Sequence, residues 1–341
     1  MPDQLIINPF DTSGYDLATM TTAINLLPNQ YGRVRQLGLF MVDPVRTRTV
    51  ILEELNGVLT LLKTQVPGAP APKMKNAKAK MRSLVVPHIP VDGVILPSDL
   101  QGVRDPGSIE PKTLEMEMTK VLRQLRGSLA ITEEHLMMGA VKGIILDADG
   151  SELYDLYAEF DITAKVVDFA LDSDSTDVAA KCREVIRHIE DNLLGDVMSG
   201  VHCLCDENFF DDLISHPNVE KFYLGHVQAI ALTGADVDPR KAFRFGGITF
   251  EEYRGKATNS AGSTVSFIGS GNAHFFPVGT QSTFQIHYAP ANYFETVNTL
   301  GVPIYAKQVM TNDGKRVDVL AESNPLPICR RPGVLVKGTL T

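Results

Sequence analysis

The chain has 341 residues, of which 44% are apolar and 21% are charged, and its formal net charge at pH 7 is −9. This composition is typical of a soluble globular protein with enough apolar material for a sizeable core, and the length favours two compact units. The acidic balance argues against binding along a nucleic-acid backbone, which needs a basic surface.

The N-terminus and the cysteines exclude other classes of protein. The first residues lack the basic and apolar segments of a signal peptide, and no stretch approaches the ~20 apolar residues that cross a bilayer. Four cysteines in a chain of this length do not make a disulfide framework. We therefore expect a protein made in the cytoplasm, with reduced thiols and no membrane contact.

Residues 1–48 are predicted to form a loosely structured arm that contains one short helix. Apolar residues recur at helical spacing between about Tyr15 and Leu27, and Pro28 ends the pattern. A helix of this length cannot bury its own apolar face. It must therefore dock on another part of the protein.

Residues 49–107 are predicted to form an extended loop region. Thr49–Leu62 favours a β-hairpin around Asn56-Gly57, because this dipeptide supplies the positive φ angles of a tight turn. Prolines follow at positions 67, 70, 72, 87, 90, 97 and 106. A structureless loop of this length is improbable inside one compact domain, so residues 63–107 are either disordered or an arm that pairs with a neighbouring subunit.

The loop region carries five cations with no acidic residue between them. They are Lys73, Lys75, Lys78, Lys80 and Arg82. No aromatic residue that could stack on a base lies among them, which disfavours nucleic-acid binding. We predict that these five residues contact an acidic face of a neighbouring subunit.

A long helix is predicted from about Ile109 to Met138, with Ser108 as its candidate N-cap. Its apolar stripe consists of Leu114, Met118, Val121, Leu122, Leu125, Leu129 and Leu136. Its charged residues, Glu115, Lys120, Arg123 and Glu133, are expected to lie mostly off that stripe. Gly139 and Gly143 are expected to break the helix.

The remaining chain mixes strands and helices, which predicts the α+β class. Gly143–Gly150 and the residues after Leu153 predict a strand pair joined by an Asp-Gly turn, and an acidic segment at 172–177 marks a boundary. The second unit is predicted to begin with a helix that Thr176-Asp177 caps. A strand is predicted at 164–170, before the boundary. After it, short strands and helices are predicted at 201–205, 207–215, 247–252, 265–268 and 274–276, and a hairpin is predicted from 305–311 and 316–322.

Three local patterns resemble sites that carry chemistry, but each has a simpler explanation. His202-Cys203-Leu-Cys205, with Cys182 and His216, offers metal ligands, yet a strand puts Cys203 and Cys205 on one face and His202 on the other, whereas zinc sites favour a C-x₂₋₄-C turn. We interpret these cysteines as buried core residues. Cys203 also lacks any signature of a catalytic nucleophile.

The other two patterns are interpreted as turns. Gly269-Ser-Gly271 lacks the Lys-Ser/Thr of a phosphate-binding loop. Asp147-Ala-Asp149-Gly150 has Ala158 where a calcium loop needs its last acidic ligand. No catalytic residue, cofactor site or metal site is predicted.

The order of these segments resembles the phage capsid protein E family, which comprises the major capsid protein of phage lambda and its relatives and has the Hong Kong 97-type fold. The similarity spans nearly the whole chain. Its most specific local matches are Phe275-Phe-Pro-Val-Gly-Thr, Asn324-Pro-Leu-Pro-Ile and Pro332-Gly-Val-Leu-Val-Lys.

The resemblance implies an α+β Hong Kong 97-type fold made of an N-terminal arm (1–48), an extended loop (49–107), a peripheral domain with the long "spine" helix (108–175), an axial domain (176–292) and C-terminal strands that return to both domains (293–341). It also implies a non-enzymatic shell subunit of a tailed bacteriophage.

The same resemblance implies the partners. Copies of the chain would form hexamers and pentamers of an icosahedral virion capsid, together with a scaffolding protein, a portal and a decoration protein, and the shell would enclose double-stranded DNA without reading its sequence. The short arm implies a scaffold that is a separate protein. The alternatives are an α+β cytosolic enzyme without a recognisable motif and a binding protein that acts as a monomer.

Overall fold

The computed structural model describes residues 16–26, 32–55, 79–100, 114–233, 238–259 and 262–341. Helices and strands are interspersed along these ranges, and two of the described sheets mix parallel with antiparallel neighbours. The predicted α+β class is therefore confirmed.

The helices of the described residues are labelled in chain order. They are Leu17–Leu26 (α1), Arg33–Gln36 (α2), Leu114–Lys142 (α3), Leu156–Glu159 (α4), Val178–Asn192 (α5), Glu207–Ser215 (α6) and Glu220–Thr233 (α7). The predicted N-terminal helix, the long helix and the helix that opens the second unit are α1, α3 and α5. Asp177 caps α5 as predicted, because its carboxylate accepts a hydrogen bond from the Ala180 N–H at 2.9 Å.

The strands are labelled in the same way. They are Met41–Pro44 (β1), Thr49–Leu55 (β2), Ala79–Val85 (β3), Ile89–Ile95 (β4), Ile144–Leu146 (β5), Glu152–Asp155 (β6), Lys165–Asp168 (β7), Gly200–Cys205 (β8), Phe243–Phe245 (β9), Ile248–Glu252 (β10), Lys256–Thr258 (β11), Thr264–Ser266 (β12), Asn272–Val278 (β13), Phe284–Tyr288 (β14), Tyr305–Met310 (β15), Val317–Ser323 (β16), Pro325–Cys329 (β17) and Val336–Thr339 (β18).

Among the described strands, the largest sheet has the order β7-β18-β13-β8-β10-β9. A second sheet has the order β1-β14-β17 and a third the order β15-β16-β4. β5 and β6 form the predicted strand pair around Gly150, whose φ is +87°. β15 and β16 form the predicted C-terminal hairpin, and Gly314 in its turn also has a positive φ.

The long helix α3 contributes to two apolar clusters in the described part of the chain. Its first half, Met118–Leu129, packs with α1 and the sheet β15-β16-β4. Its second half, Leu136–Val141, packs with the six-stranded sheet and the sheet β1-β14-β17. The predicted apolar stripe is confirmed, since all its members except the partly buried Leu114 are buried.

Helix α1 docks on another element, as predicted. Met20 and Ile24 are buried in the smaller cluster. The Asn25 side-chain amide donates to the Ile304 carbonyl at 2.8 Å, and the Ala306 N–H donates to the Thr21 hydroxyl at 3.1 Å. The helix therefore lies along the start of β15.

β2 has a partner that the sequence analysis did not predict. β2 pairs antiparallel with β3 along its whole length, from Thr49 opposite Val85 to Leu55 opposite Ala79. This register places Val50 opposite Leu84, and both side chains are buried in the larger cluster. Residues 56–78, which contain the predicted Asn56-Gly57 turn and the predicted return strand, lie outside the described residues.

Part of the predicted loop region folds onto its own subunit. β4 pairs with β16 from Ile89 opposite Ser323 to Ile95 opposite Val317. Ile95 is buried in the smaller cluster. The alternative of disorder is therefore wrong for residues 79–100.

The predicted break at Gly139 is also wrong, because α3 continues to Lys142 and ends at Gly143, whose φ is +84°. Gly139 instead allows a close approach between α3 and β5. A Cβ atom at this position would lie 2.9 Å from the Ile145 Cα and 3.0 Å from the Ile144 carbonyl oxygen.

The two glycines inside α3 should respond in opposite ways to substitution by alanine. A Cβ atom added to Gly127 would have no neighbour within 4 Å, so Gly127→Ala should raise the free energy of unfolding by about 0.5–1 kcal/mol through helix propensity. Gly139→Ala should lower it by about 1–3 kcal/mol, since the backbone of β5 must move. Urea unfolding followed by circular dichroism measures both, and equal stabilisation by the two variants would contradict the close contact.

Candidate functional site

The cysteines that could suggest chemistry lie in the core. Cys203 and Cys205 are fully buried in β8, and His202 on the opposite face is also buried. Burial raises the pKa of Cys203, so its thiol stays protonated and is a poor nucleophile. His216 bonds through Nε2 to the Ser173 carbonyl at 3.0 Å. Across the described ranges, no three His, Cys, Asp or Glu side chains form a group that could hold a metal ion.

The two glycine-containing patterns are turns. The Gly271 N–H, which a phosphate-binding loop would present to a ligand, donates instead to the Asp206 carboxylate at 2.9 Å. The Asp149 carboxylate accepts from both the N–H and the hydroxyl of Ser151. These hydrogen bonds stabilise the two turns.

A group of polar side chains with buried carboxylates and two partly exposed arginines lies where α2 meets α3, and we call it the polar junction. It consists of Arg33, Arg35, Glu133, Glu134, His202, Glu251, Tyr253 and Tyr288. Sequence reasoning placed Glu133 mostly off the buried stripe, and this was wrong. Glu133 is buried because Arg35 and the Tyr288 hydroxyl both donate to its carboxylate.

The second carboxylate of the pair, Glu134, fixes α2 through the backbone. It accepts from the Val34 N–H at 2.8 Å and from the Tyr253 hydroxyl at 3.1 Å. Burial raises the pKa of Glu134, since the charged form loses its hydration. It also raises the pKa of Tyr253, so this hydroxyl remains a donor.

The third carboxylate, Glu251 of β10, is held by a bidentate arginine. Arg33 donates to its two oxygens at 2.6 and 2.8 Å, and His202 Nε2 lies 3.2 Å from Oε2. Burial alone would raise the pKa of Glu251, but the hydrogen bonds from His202 and Arg33 hold it below its usual value. Arginines hold Glu133 and Glu251, and the Val34 N–H and the Tyr253 hydroxyl hold one oxygen of Glu134, so the junction fixes α2 against α3 and β10.

A cavity of about 420 Å³ opens beside the junction, with a charged lining. Arg240 pairs with Asp238 and Glu252, and Arg254 pairs with Glu207. Arg33, Glu134 and Glu251 of the polar junction also line this cavity.

Two of the five cations predicted to contact a neighbouring subunit, Lys80 and Arg82, lie in the described part of the chain. Arg82 lies in β3 on the same face as Leu84, and its guanidinium is 4.7 Å from the centre of the Phe160 ring and 3.9 Å from the Asp161 carboxylate. Strand alternation turns Arg82 inward, where it meets an acidic residue that is distant in the sequence. Lys80 is in β3 opposite Glu54. Lys73, Lys75 and Lys78 lie outside the described residues.

Tyr154 also attaches the strand pair β2–β3 to the subunit. Its hydroxyl accepts from the Val85 N–H at 2.7 Å and donates to the Val85 carbonyl at 2.8 Å. The face of the pair that points away from the core exposes Ile51, Met81 and Val85. The pair thus has one attached face and one open apolar face.

One further buried titratable group lies in the six-stranded sheet. His274 of β13 lies opposite Leu204 of β8 and Lys337 of β18. Burial, together with the charges of Lys142 and Lys337, lowers the pKa of His274 to about 3. Its imidazole is therefore neutral across the physiological range.

The comparisons with known proteins agree with one another. The sequence matches the family described as Phage major capsid protein E over residues 16–340. It is 32% identical to the major capsid protein of Pseudomonas phage KPP10 over 340 residues, which cover 96% of this chain and 97% of that protein. It is 31% identical to the major capsid protein of Salmonella phage Felix O1, with 96% of each chain covered.

The fold has solved relatives at much lower sequence identity. A protein described as a prophage capsid protein of E. coli CFT073 has a TM-score of 0.62 to this structure at 13% identity, with 96% of this chain and 99% of that chain covered. No helix among the described residues is long and apolar enough to cross a membrane.

The architecture is the Hong Kong 97-type α+β fold, and the sequence matches give the class as structural subunits that assemble in many copies into the capsid of a tailed phage. Within that class, the chain belongs to the phage major capsid protein E family. The resemblance seen in the sequence is confirmed, and the place of the protein is the virion capsid.

Removing Arg35 from the polar junction should destabilise the subunit more than removing an exposed arginine. Arg35→Gln leaves the Glu133 carboxylate, 7% exposed, without its counter-charge, and we expect a loss of about 2–3 kcal/mol in the free energy of unfolding. Arg183→Gln breaks an exposed pair with Asp177 and should cost at most about 1 kcal/mol. Urea unfolding at pH 7.5 compares them, and equal losses would contradict a structural role for the junction.

Acid should destabilise the fold partly through His274. The unfolded histidine binds a proton near its usual pKa of 6.5 and the folded one only near 3, so stability falls as the pH drops between these values. His274→Gln removes this proton uptake. Its unfolding free energy should therefore fall less steeply than that of the wild type from pH 6.5 to 4.5, by up to about 1.4 kcal/mol per pH unit. Parallel curves in urea titrations would refute the assignment.

Proposed function

We propose that copies of this capsid protein form hexamers and pentamers through residues 176–292 and assemble with a scaffolding protein, a portal and a decoration protein. The shell encloses packaged double-stranded DNA without reading its sequence. The net charge of −9 supports the last point, because an acidic wall does not bind the phosphate backbone.

We also propose that the subunit has no catalytic activity and needs no cofactor or metal. Glu133 and Glu251 of the polar junction support this, since arginines hold their carboxylates. Cys203 supports it as well, because burial keeps its thiol protonated. The alternative of an α+β enzyme would need a group of free polar side chains around a pocket.

The proposed domain division is an arm (1–48), an extended loop (49–107), a peripheral domain (108–175), an axial domain (176–292) and C-terminal strands (293–341). The two apolar clusters support the proposal that the C-terminal strands (293–341) return to both domains. β15 and β16 contribute to the smaller cluster, while β17 and β18 contribute to the larger one. The C-terminal strands thus return to both parts of the subunit.

The observation that carries the proposed contact between subunits is the strand pair β2–β3. A two-stranded ribbon is marginally stable in water by itself, so the contacts of Arg82 and Tyr154 hold its base on the subunit. Residues 56–78 join the two strands and carry Lys73, Lys75 and Lys78. We propose that these lysines and Lys80 lie on an acidic face of the neighbouring subunit, while Arg82 serves as the anchor.

Reversing the charge of Lys73, Lys75, Lys78 and Lys80 to Glu should prevent shell formation without unfolding the subunit. An exposed ion pair contributes only ~0.2–1 kcal/mol, but the substitutions remove such pairs at every contact between subunits in the shell. Negative-stain microscopy should show no shells after co-expression with the scaffolding protein, while the melting temperature of the subunit stays within about 2 °C.

Two matched variants complete this experiment. The four Lys→Arg substitutions keep the charge and should assemble normally. Arg82→Ala should lower the melting temperature of the subunit itself, because it removes the stacking on Phe160. Normal shells from the Lys→Glu variant would show that the loop does not join subunits electrostatically.

A further inference from the structure

Helix α7 is apolar, yet its own subunit leaves it largely uncovered. From Phe222 to Thr233 it contains no Asp, Glu, Lys or Arg, and none of its residues from Glu220 to Leu232 is buried. Phe222, Leu224 and Leu232 expose 63%, 53% and 88% of their area. A helix that is apolar on all sides is normally buried. The described residues of its own chain do not supply that cover for α7.

The aromatic contacts of α7 with the described part of its own subunit come from its first two turns. Tyr223 packs edge-on against Phe243 of β9 with ring centres 5.2 Å apart, and Phe222 packs against Phe245 at 5.4 Å. β9 is the last strand at one edge of the six-stranded sheet. The aromatic residues of the first two turns thus place α7 beside a sheet edge, and Leu232 lies near the end of the helix.

We infer that a second copy of this chain covers α7 in the assembled shell. This inference rests on the proposed assembly into hexamers and pentamers. The composition of the helix fits the core of a protein interface, where aromatic residues are enriched and charged residues are depleted. In a shell of identical subunits, a neighbouring copy is the partner present at every position.

The size of the exposed patch also favours a second copy over a tightly bound separate partner. With ~150–200 Å² for each large apolar side chain, Phe222, Leu224 and Leu232 expose about 350 Å² together. A stable pair of proteins needs about 800 Å² on each side. These three side chains alone therefore do not supply the area of a stable pair, and they suit a contact that forms when many copies associate at once.

A cysteine introduced on α7 tests the cover directly. The native cysteines are all buried, so Leu232→Cys provides the reactive thiol. We expect a maleimide to label this variant at least tenfold more slowly in shells than in dissociated subunits. A photoreactive maleimide attached to the variant before assembly should then crosslink to a peptide of another copy of the same chain. Equal labelling rates, or crosslinks only within one chain or to a different head protein, would overturn the inference.

A pair of substitutions tests whether the contact matters for assembly. Leu224→Gln with Leu232→Gln should leave the circular dichroism and melting of the subunit unchanged and reduce the yield of shells at least tenfold. Val94→Gln with Val309→Gln is the control. These side chains are 47% and 42% exposed and lie in the sheet β15-β16-β4, which does not contain β9. An equal loss in the control, or normal shells from the α7 variant, would refute the role of α7. A wild-type chain that forms no shells would instead refute the proposed function itself.

Discussion

The buried carboxylates of α3 are the constraint on which the rest of the fold depends. Glu133 and Glu134 lie between the half of α3 that packs in the smaller apolar cluster and the half that packs in the larger one. Removing two carboxylates from water costs several kcal/mol each unless donors compensate. Arg35, the Val34 N–H and the hydroxyls of Tyr253 and Tyr288 are those donors. They come from α2, from the end of β10 and from β14, so these three elements can take only one position against α3.

A polar junction of this kind contributes specificity more than net stability. An apolar replacement of similar volume could stabilise the same contact, but it would tolerate sliding, whereas a bidentate pair such as Arg33–Glu251 has one geometry. A shell subunit benefits from that property. Small errors in the position of one element would accumulate over many copies, and a fixed register of α2, α3 and β10 limits them.

The sequence predicted the elements that local patterns determine. The apolar stripe of α3, the cap at Asp177 and the hairpin turn near Gly314 all depend on residues within a few positions of each other. The pairing of β2 with β3 could not be found in this way, because Asn56-Gly57 favours a local hairpin, while burial of Val50 and Leu84 selects a distant partner. Glu133 was misplaced for the same reason, since its partner Arg35 is far away in the chain. α7 escaped prediction because apolar residues on every side give no helical periodicity.

The two surfaces assigned to contacts between subunits obey different physics. The lysines near β3 attract through charge, and salt screens exposed charges beyond ~8 Å at physiological ionic strength. The exposed side chains of α7 associate by leaving water, and excluded salts such as sulfate strengthen this association. A salt that screens without being excluded should therefore weaken only the first contact, while sulfate weakens the first and strengthens the second. Comparing the yield of shells in chloride and in sulfate at equal ionic strength therefore separates the contribution of α7 to assembly from the contribution of the lysines near β3.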